Sequence, residues 1–166
     1  MHNETAVLAA TNAAIVDDFL RTREYSMILA TPLSDEDCGA QSMPDASPVK
    51  WHLAHTSWFF ETFILEKYEP DFAPFHPAFR VLFNSYYEGV GDKHPRPQRG
   101  MLTRPSLAEI RAYRANIDLR MQALLLSDVC DENCLRLLEL GMQHEQQHQE
   151  LILTDLKHLL SLNPLK

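Results

Sequence analysis

DENCLRLLELGMQHEQQHQELILTDLKHLLSL, from Asp131 to Leu162, is the stretch on which the fold turns. It is long, free of proline until Pro164, and broken only by Gly141, a helix-weakening residue inside an otherwise helical run. Within it His144 and His148 stand at i and i+4, one above the other on a single helical face, where two imidazoles can reach one metal ion. The same face continues through Leu137, Gly141, Leu151 and Asp155, so the pair is expected to point into a helical core. Histidines at this spacing are common in helices, and a third ligand from another segment decides what they do.

Three more helices are read outward from this one. The first spans roughly Glu4 to Ala30, with Leu8, Ile15, Phe19 and Leu20 at helical spacing and Pro32 just beyond. The second is expected from Pro48 to about Glu66, with Ser47 as its N-cap and proline at its first position. The third opens on the capping-box pattern Ser106-Leu107-Ala108-Glu109 and carries Ile110, Tyr113, Ile117, Met121 and Leu124 along one face. Between the second and third, from about Pro70 to Pro105, lie most of the prolines and three of the five glycines, which predicts a long ordered loop or lid. The expectation is an all-α four-helix bundle, a single domain over residues 1–166, with a long proline-rich loop between helices 2 and 3.

Composition narrows the function. With 15 Lys+Arg against 23 Asp+Glu the 166-residue chain carries a net charge of −8, and without a basic cluster it lacks the footprint of a nucleic-acid binder. No apolar run approaches the roughly 18 residues of a membrane span, and no leader pattern opens the sequence, so the cytoplasm is the expected compartment. Cys38, Cys130 and Cys134 match no disulfide framework or zinc ribbon and are expected as reduced thiols, Cys130 and Cys134 as small buried residues.

The second helix supplies the third histidine. His55 shares a stripe with Trp51, Trp58, Thr62 and Leu65, which turns its ring inward; His52 lies about 60° round the helix and reads as structural, nearer the boundary. The predicted ligand set is therefore His55, His144 and His148, a facial three-imidazole site with open positions that iron(II), zinc, nickel or manganese could occupy. His144-Glu145-Gln146-Gln147-His148 also spells the HExxH of zinc proteases, with Glu145 as general base. That reading fails because the extended metzincin pattern needs glycine and histidine where Leu151 and Thr154 stand, and no glutamate follows Glu150. Glu150 and Asp155 are candidates to accept a hydrogen bond from a ligand imidazole, with a solvated helix face as the equal alternative for Glu150. His158 lies too far along the helix to join the same ion, and His2, His76 and His94 carry no argument.

Four blocks carry a resemblance: Gln41–His55 (QSMPDASPVKWHLAH), Phe83–Glu88 (FNSYYE), His94–Gly100 (HPRPQRG) and Gln143–Glu150 (QHEQQHQE). In this order they closely resemble the N-terminal DinB-like domain of the ergothioneine-biosynthesis sulfoxide synthases, the EgtB family, over the first helix to the chain's end. The resemblance implies a non-haem iron(II) enzyme that uses dioxygen to join the sulfur of cysteine or gamma-glutamylcysteine to hercynine, with zinc or another divalent metal as the alternative cofactor. It assigns the iron to His55, His144 and His148, turns Gln147 toward the substrates, and gives Arg96 and Arg99 the carboxylate of the thiol substrate, a task suited to bidentate guanidinium groups. It further implies a following domain like the formylglycine-generating enzyme, bearing the catalytic tyrosine and much of the hercynine pocket. No tyrosine here takes that role; Tyr86 and Tyr87 read as packing residues. Two rival functions are a DinB-like thiol transferase using the same site with zinc or another divalent ion, and a non-catalytic metal-binding module that docks a partner.

Overall fold

The computed structural model describes the backbone of residues 2–165 and the side chains of residues 13–165 other than Glu88. Met1, Lys166 and the side chains of residues 2–12, including His2 and Leu8, lie outside the described residues. The elements are helices α1 (His2–Ala30), α2 (Asp35–Gly39), α3 (Val49–Phe60), α4 (Glu66–Tyr68), α5 (Phe79–Leu82), α6 (Leu107–Leu125) and α7 (Glu132–Ser161), with no strand among the described residues. A π turn at Glu61–Leu65 carries α3 directly into α4. The four long helices close a ring of contacts, α1 and α3 each packing against both α6 and α7. Among the described residues no helix is long and apolar enough to cross a membrane.

Local chemistry explains most boundaries. Ser106 and Glu109 form both bonds of the predicted capping box at the head of α6. Asp131 caps α7 by accepting from the Cys134 amide. The expected Ser47 cap is corrected: the residue before α3 is Pro48, with no side-chain cap, and Ser47 is spent elsewhere. Its hydroxyl accepts from Arg99 and its amide donates to Asp155, 2.8 Å away, so tertiary partners took the groups a local cap would have used. The thiol expectation is also corrected. Cys130 and Cys134 form a disulfide, their Cα atoms 5.2 Å apart, because the extended residue Asp131 and the first turn of α7 fold the i and i+4 positions together. Cys38 stays free and buried.

Helix α3 has no solvent face, every residue from Val49 to Phe60 being buried. It is covered by α6, by α7 and by the segment that follows α4, which holds α5 and two 3-10 turns, Glu88–Val90 and Arg96–Met101. That segment is tied down through the indoles: Trp51 Nε1 donates to the Leu82 carbonyl and Trp58 Nε1 to that of Arg80, satisfying the polar ends of two buried aromatic residues.

Gly141 finds its reason in the α3–α7 contact. A Cβ added there would lie 2.5 Å from Cε1 of Phe60, too close unless that ring moves, and tight against Cε1 of Phe59 at 3.1 Å. Alanine gains about 1 kcal/mol of helix propensity over glycine, but overpacking a filled core costs about 1–3 kcal/mol. Gly141→Ala is therefore expected to lower the melting temperature by several degrees in thermal circular dichroism. An unchanged or higher midpoint would mean that the Phe60 ring yields at little cost.

The buried stripe of α7 is Cys134, Leu138, Gly141, Glu145, His148, Gln149 and Ile152. Its centre is Glu145, fully buried, while His144 sits at the stripe's edge. Glu145 receives Arg23 Nη1 and Arg114 Nη2 at 2.8 Å each and the Ser26 hydroxyl at 2.6 Å. Arg23 also pairs with Asp118 and reaches the Ser57 hydroxyl, and Arg114 donates to the Leu53 carbonyl and to Thr56. Burial pushes the Glu145 carboxyl up, but the two guanidinium groups and the serine bond outweigh it and bring it down to about 2. α1, α6 and α7 thus meet at one carboxylate, and α3 joins the cluster through the two arginines.

Candidate metal centre

His55, His144 and His148 are the described residues whose ligand atoms come together, all within 4.8 Å of one another. α3 contributes the first and one turn of α7 the other two. The His55 ring lies between Trp51 and Trp58, stacked on each at centroid distances of 4.5 and 5.3 Å and interplanar angles of 15°. Its Nδ1–H donates to the Phe83 carbonyl at 2.6 Å, which leaves Nε2 bare and aimed at the site. That Nε2 is 3.2 Å from Nε2 of His144. Two nitrogens bound at about 2.05 Å to one ion lie ~2.9 Å apart at a right angle and ~3.4 Å apart at a tetrahedral one, so the spacing suits a shared metal. The remaining nitrogen of His144, Nδ1, is buried without a partner.

All three rings are held in the neutral form that a ligand needs. Burial lowers the His55 ring well below its usual range, with His144 adding to the effect. Burial brings His144 down to about 4. Burial together with the neighbouring His55, His52 and His144 pushes His148 down as well. The donor set and its protonation fit a divalent transition metal.

The triad opens on a cavity of about 350 Å³, whose lining includes Gln147, Arg96, Arg99, Tyr86, Tyr87 and Ser85. Every residue singled out in the sequence as ligand or substrate contact borders this one space. Arg99 is buried, its guanidinium carbon 3.3 Å from the Trp51 ring centroid, with Nη1 donating to Ser47 Oγ and Nη2 to Ser85 Oγ. Burial and the nearby Arg96 lower it to about 10, which leaves it cationic at neutral pH. Arg96 donates to the Tyr86 hydroxyl at 2.8 Å. Both guanidinium groups line the cavity with neutral hydroxyls as their side-chain partners, and Nε of each is buried and unpartnered, so the cavity wall carries two cations whose charge suits an anion. A more open groove between α1 and α7, lined by Asp18, Arg21, Glu139 and several glutamines, gathers no ligand cluster.

Two expectations need correcting. His52 is not near the boundary but 2% exposed, because α3 is buried all round, and its Nδ1 lies 2.8 Å from Nδ1 of His148. Asp155 does not meet a triad imidazole directly; it bonds His52 Nε2 at 3.1 Å and the Ser47 amide. Glu150 is exposed. Glu145, the base of the rejected protease reading, points away from the cavity into the ion cluster.

Sequence reasoning also missed Arg23 and Arg114 as core residues. The signal was present, since Arg23 stands four residues after Phe19 and Arg114 four after Ile110, each on a buried stripe where a charge requires a buried partner. Trp51 and Trp58 were read as core alone, and their stacking on His55 has no local sequence signature.

A family model described as DinB superfamily matches residues 18–152. No curated protein matches the chain.

Proposed function

The chain belongs to the DinB superfamily, whose domains bind divalent metals, and from that premise we propose that it is the metal-binding N-terminal part of a non-haem iron(II), oxygen-dependent sulfoxide synthase. In this reading the reaction joins the sulfur of cysteine or gamma-glutamylcysteine to hercynine in ergothioneine biosynthesis. The observation that carries it is the juxtaposition within one cavity of three neutral imidazoles and two arginines whose side-chain partners are neutral hydroxyls. That pairing suits a ligand with a soft donor atom at one end and a carboxylate at the other, as an amino-acid thiol has. The four sequence blocks that resemble the sulfoxide synthases include these same residues, and they supply the finer identity.

Iron(II) bound by the triad would supply a Lewis-acidic centre with open positions and electrons for dioxygen. The chain's own residues then have definite tasks. Arg96 and Arg99 fix the thiol substrate by its carboxylate. Gln147, on the cavity wall one residue before His148, contacts substrate. Trp51 and Trp58 hold the His55 ring in one plane, and the Phe83 carbonyl holds its tautomer. The catalytic tyrosine and most of the hercynine pocket come from a domain like the formylglycine-generating enzyme, in cis or in trans.

The test is the metal content of anaerobically purified protein, followed by dioxygen uptake with hercynine and gamma-glutamylcysteine or cysteine, with and without that second domain. One iron per chain and uptake that requires both substrates and the second domain is the expected result. Zinc in the site with thiol transfer that needs no dioxygen would replace this reading by the thiol transferase. A bound metal with neither activity would leave a docking module.

A further inference from the structure

We propose that Asp155 and His52 are positioning residues, a hydrogen-bonded relay that fixes the tautomer of His148 so that Nδ1 carries the proton and Nε2 is presented bare to the metal. The inference rests on the reading of His148 as a ligand and deepens it. Its basis is a count of protons along three contacts. Asp155 Oδ2, a carboxylate oxygen that also accepts from the Ser47 amide at 2.8 Å, can only accept, so the 3.1 Å contact places a proton on His52 Nε2. A neutral imidazole has one N–H, so His52 Nδ1 is an acceptor. The 2.8 Å contact between His52 Nδ1 and His148 Nδ1 then requires the proton on His148 Nδ1. A neutral His148 has none left for Nε2, which is the form a metal needs.

With one proton on each ring, every one of these contacts pairs one donor with one acceptor. His52 is 2% and His148 8% exposed, so water does not compete for these bonds. A doubly protonated His52 would donate to His148 Nδ1 and drive the remaining proton onto Nε2, so the relay has only one productive arrangement. His55 reaches the same end by a different route, its Nδ1–H bound to the Phe83 carbonyl. The arrangement also explains why two histidines stand three residues apart in α3: one faces the metal and the other sets the ligand that does.

The experiment reads the imidazole nitrogens of the metal-free full chain by long-range proton–nitrogen NMR and titrates the same protein with Co(II). The expected result is the Nδ1–H tautomer at His148 in the metal-free chain. Asp155→Ala and His52→Ala should mix the two His148 tautomers and weaken Co(II) binding about 10- to 100-fold. Asp155→Asn, whose carbonyl oxygen can accept both bonds, should retain the tautomer and keep affinity within a few-fold of the unaltered chain. This variant answers for any loss of folding in Asp155→Ala, where the Ser47 amide also loses its acceptor. An Nε2–H tautomer at His148, or alanine variants that leave tautomer and affinity unchanged, overturns the relay. A chain with the Nδ1–H tautomer that takes up no Co(II) upholds the relay's structural half and overturns the metal centre instead.

Discussion

Alanine in place of His148 is expected to remove stoichiometric metal binding altogether. A four-ligand structural zinc site is worth about 10–16 kcal/mol at neutral pH, so one ligand accounts for ~3–4 kcal/mol, or about two to three orders of magnitude in affinity. A site left with His55 and one histidine of α7 has also lost its facial geometry. His144→Ala should behave alike, since both residues approach His55 from one turn of α7. The control is His158→Ala on the same helix, whose ring bonds the Ser42 hydroxyl at 2.8 Å and lies outside the cavity lining; it should leave binding intact. Metal content after anaerobic purification, with helicity checked by circular dichroism, separates these cases. A His148→Ala chain that still holds one metal per chain would place the site elsewhere. The contrast with His52 is one of degree, because losing a ligand abolishes the site and losing the relay only loosens it.

Glu145→Ala is expected to have the largest effect on stability. Its carboxylate is fully buried and is the shared partner of Arg23 and Arg114, themselves about 2% exposed. Removing it strands positive charge in the core, at a cost of about 3–5 kcal/mol, against a total stability for a domain of about 5–15 kcal/mol. At about 2–4 °C per kcal/mol for a chain of this size, the melting temperature should fall by ~6–20 °C. A drop of only a degree or two would mean that the cluster contributes little. The pH dependence has a definite sign. The carboxyl goes from an ordinary value of 4.5 when unfolded to about 2 when folded, so its contribution is fully present above about pH 4.5 and is lost as pH falls through about 2. Acid unfolding should therefore steepen toward pH 2, and Glu145→Gln should remove that part of the dependence.

The two predictions concern adjacent residues with opposite directions. His144 and Glu145 are neighbours on α7, yet one faces the cavity and the other the centre of the bundle. A residue step of 100° round the helix separates the two environments. The sequence-read face, which ran through Leu137, Gly141 and Leu151, was one residue off the true centre of burial at Cys134, Leu138, Gly141, Glu145 and Ile152. A charged residue was passed over as a core position because hydrophobicity alone marks the stripe, and buried ion pairs do not register in it.

Local signals by themselves determined the long helices and the histidine pair. The Ser106–Glu109 capping box, the prolines beyond α1 and α7, and the His144–His148 spacing act within a few residues, so they are written wherever the chain runs. The tertiary structure alone decided what Ser47 and His52 do. α3 is buried on every side, so its pattern has no polar face from which to infer orientation. Only the arrival of Arg99 and Asp155 takes Ser47 away from capping and joins His52 to His148. Gly141 and the paired Cys130 and Cys134 follow the same rule: the residue is visible in the sequence, but its reason is an atom brought to it by folding, Cε1 of Phe60 in one case and the partner sulfur in the other.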